Sequence, residues 1–572
     1  MSAVRRVLTV ALVAIGVLLG SASPADAHAV LLRSEPAPQS TVARTPAAVR
    51  LEFSEPVETA FGAIRVYDVE GRRVDRGDVR RASGGRILDA PLRSVADGTY
   101  TVTWRIVSSD GHRISGGFVF YVGAPSTISP VAIDEEPSSS RAVGWGFGVV
   151  RFLWLSALIA LIGLAAVRRM VWTPALRANG LGDSPAAERF RTRFSRALPA
   201  AWMVLVLAGA ASLVFQAASV SGLPLADAAA GRVIEDVLDT TYGRAWLVQI
   251  VLAVLAVVPV LALTQRRAVL PGRPTLWLVV LGLITTGLCV TAAVSGHART
   301  DPNPLLAETS IVVHLLAVGC WVGGLGALVL VGGPAWRGAA DGQRAGLLRE
   351  VVVRFSRLAL VAVAFVVASG TVNAVTAMAG VNDLWDTTYG RLVSAKVVAL
   401  VLALLLAARH LRVSPRRLAG EQPERAVGSF TVTSAVELVF LAAAVALAAA
   451  LIAAVPGRSL ALAEGGPFTA ERPAGPYLVQ LFVDPSDVGA NEMHVTFVGE
   501  DGLAAAEVAN TTVRLTPPGG AARSTAVRLI APGHFTGELT LSRPGSYRVA
   551  VSTTSDGRQV TASFTFSIAR RS

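Results

Sequence analysis

The chain has 572 residues, more than one compact domain normally holds, and 52% of them are hydrophobic while 16% are charged. This balance is unlike that of soluble domains and predicts membrane spans. The net charge of +12 comes from arginines in short loops between apolar segments, so membrane topology explains it and nucleic acid is not an expected partner. Cys289 and Cys320, the two cysteines, lie inside apolar segments, which excludes a disulfide scaffold and a CxxC metal site.

Residues 1–27 have the pattern of a secretory signal peptide. Arg5 and Arg6 form a charged start, residues 7–20 are apolar, and Ala25-Asp26-Ala27 matches the small-x-small cleavage pattern. Cleavage after Ala27 would make His28 the first residue of the mature chain. A retained signal anchor is the alternative.

Residues 28–123 and 465–572 have strand character, because short alternating or β-branched stretches are separated by turn residues. We expect an N-terminal all-β domain, a Greek-key barrel or sandwich, and a C-terminal β-sandwich. Residues 124–143 are rich in proline, serine and acidic residues and are expected to form a linker. The clearest strands are predicted at 48–53, 63–67, 100–104, 117–121, 477–483, 493–497, 512–515 and 546–552.

Between the two β-domains, residues 144–456 hold eight apolar stretches, most of them near the ~20 residues that cross a bilayer. They lie at 145–167, 197–219, 244–264, 275–295, 310–332, 356–378, 391–408 and 430–455. The loops after spans 1, 3, 5 and 7 are rich in arginine, while the alternate loops are acidic or nearly neutral. The positive-inside rule therefore predicts that both β-domains are extracytoplasmic on a bacterial cytoplasmic membrane.

Two short sequences recur within the membrane region. Arg193-Phe-Ser-Arg196 is repeated as Arg354-Phe-Ser-Arg357, and the hexapeptide of residues 239–244, DTTYGR, is repeated at 386–391. Each pair begins near one end of a span and finishes at the start of the next. The eight-helix bundle is thus predicted to contain an internal repeat, which either creates a site at the repeat interface or only builds the bundle.

Three residues of the N-terminal domain could bind a metal ion. A mature N-terminal His28 would offer its α-amine and its imidazole, and Asp110-Gly-His112 places a carboxylate two residues from a second imidazole. On an extended backbone, Asp110 and His112 would lie on one face of a sheet. Nitrogen and oxygen ligands of this kind favour Cu(II) over Cu(I). Alternatively, Asp-Gly is only a turn signal and His112 only a surface histidine.

Residues 28–36 (HAVLLRSEP), 51–57 (LEFSEPV) and 109–116 (SDGHRISG) resemble the CopC family of periplasmic copper-binding proteins. In that family the mature N-terminal histidine and an Asp-x-His pair bind Cu(II), which implies that His28, Asp110 and His112 are ligands. Some members hold Cu(I) in a methionine-rich loop. Residues 28–143 contain no methionine, so no Cu(I) site is expected there.

Residues 295–298 (SGHA) and 314–324 (HLLAVGCWVGG) resemble the CopD family of copper-transport membrane proteins. His297 is expected at the end of span 4 and His314 one turn into span 5, so a shared copper site near the outer face is sterically reasonable. The alternative for His314 is a helix–helix hydrogen bond. Cys289 and Met378 could be sulfur ligands for copper, and the alternative is that they only pack in the bundle. Cys320 is expected to pack.

The remaining histidines are given no ligand role. His410 is expected at the membrane interface, and His494 and His534 are expected to be structural. The resulting hypothesis is copper homeostasis without enzymatic activity. The outer domain captures Cu(II), and the membrane domain moves copper, with inward movement favoured because no ATP-binding motif is apparent. The alternatives are a membrane copper buffer or sensor that confers resistance without transport, and an electron-transfer protein with histidine-ligated haem. The sequence does not predict an oligomeric state.

Overall fold

The computed structural model describes residues 31–123, 141–265, 273–296, 301–418, 423–454, 468–499 and 505–568, apart from 39, 109–110, 112, 302, 453, 485, 506, 532 and 556–557. The signal peptide, most of the linker, and His28, Asp110, His112 and His297 lie outside the described residues. The membrane-spanning region is a compact unit of its own.

The N-terminal domain is a sandwich of two four-stranded sheets, as the sequence predicts. One sheet has the order β1-β3-β6-β5 and the other β2-β8-β7-β4. The strands are β1 (Leu31–Glu35), β2 (Thr41–Val42), β3 (Ala48–Phe53), β4 (Val57–Tyr67), β5 (Arg80–Ala82), β6 (Ile87–Pro91), β7 (Gly98–Ser108) and β8 (Arg113–Val122). Alternate residues point inward, so Val49 and Leu51 of one sheet pack in the same core as Val102 and Ile106 of the other.

Eight helices in the described part of the chain are long and apolar enough to cross a membrane, which confirms the predicted count. They are span 1 (Ala142–Ala178), span 2 (Pro185–Ser221), span 3 (Thr241–Thr264), span 4 (Pro274–Val294), span 5 (Pro304–Ala335), span 6 (Gln343–Ala377), span 7 (Thr388–Ala408) and span 8 (Val432–Leu451). Spans 1 and 5 are the most buried, with 56% and 61% of their apolar windows inside the protein. They form the centre of the bundle.

Spans 1 and 5 cross at glycines. A Cβ added to Gly163 would lie 2.0 Å from the Gly323 carbonyl carbon, and one added to Gly323 would lie 2.0 Å from the Ile159 carbonyl oxygen. A Cβ added to Gly319, one turn earlier, would lie 2.6 Å from the Ile162 side chain. Small residues let two backbones approach closely where lipid provides no hydrophobic force between helices, so these glycines fix the central crossing.

The repeated hexapeptide has the same local structure twice. The Thr240 hydroxyl accepts a hydrogen bond from the Gly243 N–H at 3.1 Å and donates to the Val237 carbonyl at 2.6 Å. Thr387 does the same with the Gly390 N–H at 2.9 Å and the Asp383 carbonyl at 2.9 Å. Each threonine therefore caps a span that follows a short helix. The sequence repeat is a structural repeat.

The C-terminal domain is a second sandwich, with sheets in the orders β14-β15-β11-β10-β9 and β13-β12-β16-β17. Its strands are β9 (Phe468–Ala474), β10 (Tyr477–Asp484), β11 (Gly489–Val498), β12 (Thr512–Thr516), β13 (Arg523–Thr525), β14 (Val527–Ala531), β15 (His534–Leu541), β16 (Gly545–Ser555) and β17 (Arg558–Ile568). In β10 every second residue from Tyr477 to Val483 is buried, which gives the sheet one core face and one outer face.

Candidate metal centres

The strand register brings two distant parts of the N-terminal domain to one end of the sandwich. Leu31, which begins β1, pairs with Phe53, which ends β3. Val57, which begins β4, pairs with Ser108, which ends β7. Only residues 54–56 separate the two pairings. Leu31 at the start of β1 and Ser108 at the end of β7 therefore both adjoin this short connection. In sequence, His28 lies three residues before Leu31, and Asp110 and His112 follow Ser108.

The turn between β7 and β8 corrects one step of the sequence reasoning. Gly111 has a φ of +88°, in the left-handed region, and its N–H donates to the Ser108 carbonyl at 2.9 Å. The backbone is therefore not extended at Gly111, and strand alternation does not describe how Asp110 and His112 are related. The Asp-Gly turn signal was the correct reading of the backbone. A left-handed residue between the two candidate ligands explains why glycine stands there.

Two buried carboxylates at this end of the domain were missed by sequence reasoning. Glu55 is 6% exposed and lies in the connection between β3 and β4, while Glu58 is 7% exposed and pairs with Val107. Both have interaction partners within the protein. Buried carboxylates are costly unless they are paired, and they add negative potential beside the turn. The only sequence signal was their position in or next to the LEFSEPV motif.

His314 is described, and it contacts span 6. Its Nδ1 lies 3.0 Å from the Ser369 hydroxyl, and the Ser310 hydroxyl donates to the Ser369 carbonyl at 3.0 Å. A Cβ added to Gly370 would lie 3.4 Å from the His314 ring, so a small residue makes room for it. The helix–helix hydrogen bond weighed in the sequence analysis is therefore present. Because it uses Nδ1, it is compatible with a metal ion on Nε2.

Other ionisable or soft side chains occur in the spans. Lys396 of span 7 is close enough to His314 for an electrostatic interaction, which disfavours a second cation unless anionic groups accompany it. Glu437 of span 8 is 3% exposed, has a partner, and was not identified from the sequence. Cys289 is fully buried in the apolar core of the bundle and Cys320 packs against that core. The packing interpretation fits both cysteines.

The C-terminal domain holds a histidine pair that sequence reasoning did not connect. His494 in β11 and His534 in β15 are 5% and 3% exposed, and His494 Nδ1 lies 3.1 Å from His534 Nε2. A Glu492 carboxylate oxygen lies 3.1 Å from His494 Nε2. Burial lowers the pKa of His494 to about 4. Burial, with the neighbouring His494, lowers that of His534 to about 3, so both rings are neutral at pH 7.

Among the described residues, no group of three or more His, Cys, Asp or Glu side chains is arranged to surround a metal ion. Four of the five sequence-predicted ligands lie outside the described residues, so their mutual geometry stays a prediction.

Known families match most of the chain. The CopC domain family matches residues 31–123, the family "Copper resistance protein D-like, N-terminal domain" matches 140–303, and the family "Copper resistance protein D" matches 349–451.

The "Copper transport protein CutJ" of Bacillus subtilis (strain 168) is 29% identical over 395 residues, which cover 68% of this chain and 69% of that protein. "Copper resistance protein C" of Pseudomonas syringae pv. tomato is 37% identical over 120 residues, 20% of this chain and 93% of that protein. The crystal structure of CopC from Methylosinus trichosporium OB3b is 32% identical, with a TM-score of 0.16, and covers 17% of this chain and 95% of that one.

Proposed function

Because the chain belongs to the CopC family and its membrane region matches the families of copper resistance protein D, we propose that it captures Cu(II) outside the cytoplasmic membrane and transports copper inward through its eight-span domain. The observation that carries this proposal is that one chain matches both families. A relative of this chain in B. subtilis is named a copper transport protein. A chain that joins a binding domain to a membrane bundle supplies donor and acceptor together. The protein acts on copper as cargo and carries out no chemical conversion.

The capture site consists of His28, Asp110 and His112. Its support is the register that brings the start of β1 and the end of β7 to the same end of the sandwich. The α-amine and two imidazoles are nitrogen donors and Asp110 is an oxygen donor, a set that favours Cu(II) in tetragonal geometry. The buried Glu55 and Glu58 nearby add negative potential that favours a divalent cation.

The membrane site consists of His297 and His314 near the outer face. Support comes from the contact between His314 and Ser369, because a hydrogen bond to one imidazole nitrogen fixes the ring and leaves the other nitrogen to coordinate. Ionisable groups within spans are costly and are retained at sites of function. Both β-domains are extracytoplasmic in this proposal, as the arginine-rich alternate loops indicate.

The capture site is tested by Cu(II) titration of the purified full-length protein. Adding one residue before His28, or the change His112→Ala, should weaken Cu(II) binding by about 100-fold or more, because even residues that only support a ligand typically contribute 10–100-fold. Asp78→Ala, which removes an exposed carboxylate between β4 and β5, is the matched control and should bind normally. Unchanged affinity in both altered proteins contradicts the site.

Transport is tested in proteoliposomes loaded with a copper chelator. Wild-type protein should accumulate copper, and His314→Ala should abolish accumulation while the outer domain still binds Cu(II). Cys320→Ala, in the same span and packed against the apolar core, is the control and should transport normally. Tight binding without flux in the wild type would instead support the second candidate, a membrane copper buffer or sensor.

A further inference from the structure

The outer face of the larger sheet in the C-terminal domain holds two buried imidazoles. Met493 and Val495 of β11 and Phe535 of β15 face the core, so His494 and His534 face the opposite side. They are nevertheless 5% and 3% exposed, and Phe482 of β10 packs beside His494 with ring centroids 6.1 Å apart. A histidine pair is expensive to bury on the outer face of a sheet unless its polar atoms have a use.

The hydrogen bonding of this pair is incomplete. His494 Nδ1 and His534 Nε2 are 3.1 Å apart and share one hydrogen bond, which requires one ring to donate and the other to accept. His494 Nε2 is buried and makes no hydrogen bond of good geometry, although Glu492 Oε1 lies 3.1 Å away. A buried polar atom without a well-formed hydrogen bond calls for an explanation, and a bound ion that turns its ring is one such explanation.

The spacing of the two nitrogens suits a shared metal ion. Two nitrogens 3.1 Å apart, each ~2.0–2.1 Å from a metal, subtend an angle of roughly 95–102° at that metal. This angle lies between the square-planar and tetrahedral values, so the two nitrogens could fill adjacent coordination positions once each ring turns its lone pair from the other ring toward the ion. A neutral imidazole can carry its proton on either nitrogen. His534 can therefore hold its proton on Nδ1 and leave Nε2 free to bind a metal ion, without gaining or losing a proton.

Glu492 orients His494 for this role. It stands two residues before His494 on the same face of β11, and its carboxylate lies against Nε2. If Nε2 carries the proton toward Glu492, Nδ1 presents its lone pair toward His534. Metal-binding histidines usually donate their other N–H to a carboxylate in this way.

The charges around the pair favour a cation. Glu492 lies directly opposite Asp484 of β10 and Glu538 of β15, so three carboxylates form a row across adjacent strands. Burial and the neighbouring Glu492 raise the pKa of Asp484, which records their mutual repulsion. Arg528 of β14, opposite Thr536, is exposed and supplies one positive charge to this face. Like charges in register destabilise a sheet, and a bound cation would relieve that repulsion.

We propose that His494 and His534 bind a divalent transition-metal ion on the outer face of the C-terminal sandwich, with Glu492 holding the His494 ring and water completing the coordination. Imidazole ligands suit copper and zinc, and Cu(II) is the divalent ion that such ligands bind most tightly. This site is separate from the capture site and from the membrane histidines, and it does not depend on transport. It gives the C-terminal domain a metal-binding role.

The test uses the purified full-length protein carrying His28→Ala and His112→Ala, so that the N-terminal candidate ligands are removed. Cu(II) chloride is added, loosely bound metal is removed by desalting, and retained copper is counted by elemental analysis. Introducing His494→Gln or His534→Gln should each lower retention by one copper per chain. The EPR spectrum of the starting protein should contain nitrogen hyperfine structure, and each of these changes should remove the contribution of this site from it. Zn(II) chloride, tested in parallel, should bind the same site more weakly.

Glu492→Gln keeps the test decisive if the histidine changes impair folding, because this side chain is 62% exposed. It should weaken Cu(II) affinity by about 10–100-fold, as expected for a residue that orients a ligand. Glu538→Gln removes the same charge from the paired position in β15 and, as the matched control, should have an effect of about threefold or less. If both histidine variants retain as much copper as the starting protein, or if Glu492→Gln binds Cu(II) with unchanged affinity, the proposal is overturned and the pair has a purely structural role.

Discussion

At the scale of single residues, Asp75 shows how one buried charge is stabilised in the N-terminal domain. Its side chain is 1% exposed and forms an ion pair with Arg73 at 2.8 Å. It also accepts hydrogen bonds from the backbone N–H groups of Val66 and Gly77, both at 3.0 Å. Burial alone would raise the pKa of Asp75, but these hydrogen bonds and the Arg73 charge outweigh it and lower the pKa. The carboxylate thus ties β4 to the chain that precedes β5.

Asp75→Asn should therefore destabilise the N-terminal domain near pH 7 by about 2 kcal/mol, less than for a fully buried pair because Arg73 is half-exposed. A carboxyl with a lowered folded-state pKa contributes stability that is present above its unfolded pKa of ~3.9 and is lost as the pH falls through the folded value. The difference between wild type and variant should accordingly narrow below about pH 4. This difference in stability is measured by hydrogen exchange of the β4 amides in the full-length protein.

Asp78→Asn is the control, because Asp78 is exposed. At every pH this variant should show the same exchange of β4 amides as the wild type. A constant difference between wild type and Asp75→Asn from pH 7 to below pH 4 would contradict the assigned ionisation.

Some candidate site residues could be proposed from the sequence, whereas others required the structure, and the reasons are physical. His28, Asp110 and His112 were proposed from a predicted cleavage point, a short Asp-x-His motif and a resemblance to a known family, and their role as ligands stays a prediction. His494 and His534 were treated as structural because they are 40 residues apart and lack ligand spacing. The register between β11 and β15 brings them together, and sequence patterns do not specify which residues of two strands are paired. The conformation of Gly111 depends on its turn and was likewise not derivable from strand alternation.

At the scale of secondary-structure elements, the eight spans and most strands followed directly from periodicity and apolar length. The helices extend beyond the apolar stretches: span 2 begins at Pro185, whereas the apolar stretch begins at 197. Polar turns at helix ends are not distinguished from loops by hydropathy. The close approach of span 5 to span 1 at Gly319 and Gly323 required the structure, because the sequence does not specify which helix packs on these glycines.

Gly323→Ala should destabilise the bundle by roughly 2–3 kcal/mol, the upper end of the usual effect of overpacking, because the added Cβ meets backbone atoms of span 1 that cannot move aside. Gly326→Ala, less than one turn away in the same span, is the matched control. Its Cβ would meet only a Leu438 side-chain carbon at 3.8 Å, an ordinary contact. Thermal unfolding of the detergent-solubilised protein should show a lower midpoint for the first variant only. Equal midpoints would mean that spans 1 and 5 do not cross at this glycine.

At the scale of the whole molecule, the order of domains supports the proposed delivery of copper from the outer domain to the bundle. A copper-binding domain precedes the membrane bundle, and the predicted linker of residues 124–143 joins them. Short tethers between two sites generally correspond to effective concentrations in the millimolar range. Under the proposed function, tethering should matter most when external copper is scarce, because a captured ion would then reach the bundle without diffusing through bulk solution.

Cutting this tether should lower transport without altering either domain. A protease recognition sequence placed within residues 124–143 allows cleavage after reconstitution into proteoliposomes, and we expect copper accumulation at limiting copper to fall by about tenfold or more. At saturating copper the cleaved and intact proteins should transport equally, because the membrane domain then loads directly from solution. Wild-type protein treated with the same protease is the control. Equal transport at limiting copper after complete cleavage would show that the N-terminal domain does not supply the bundle.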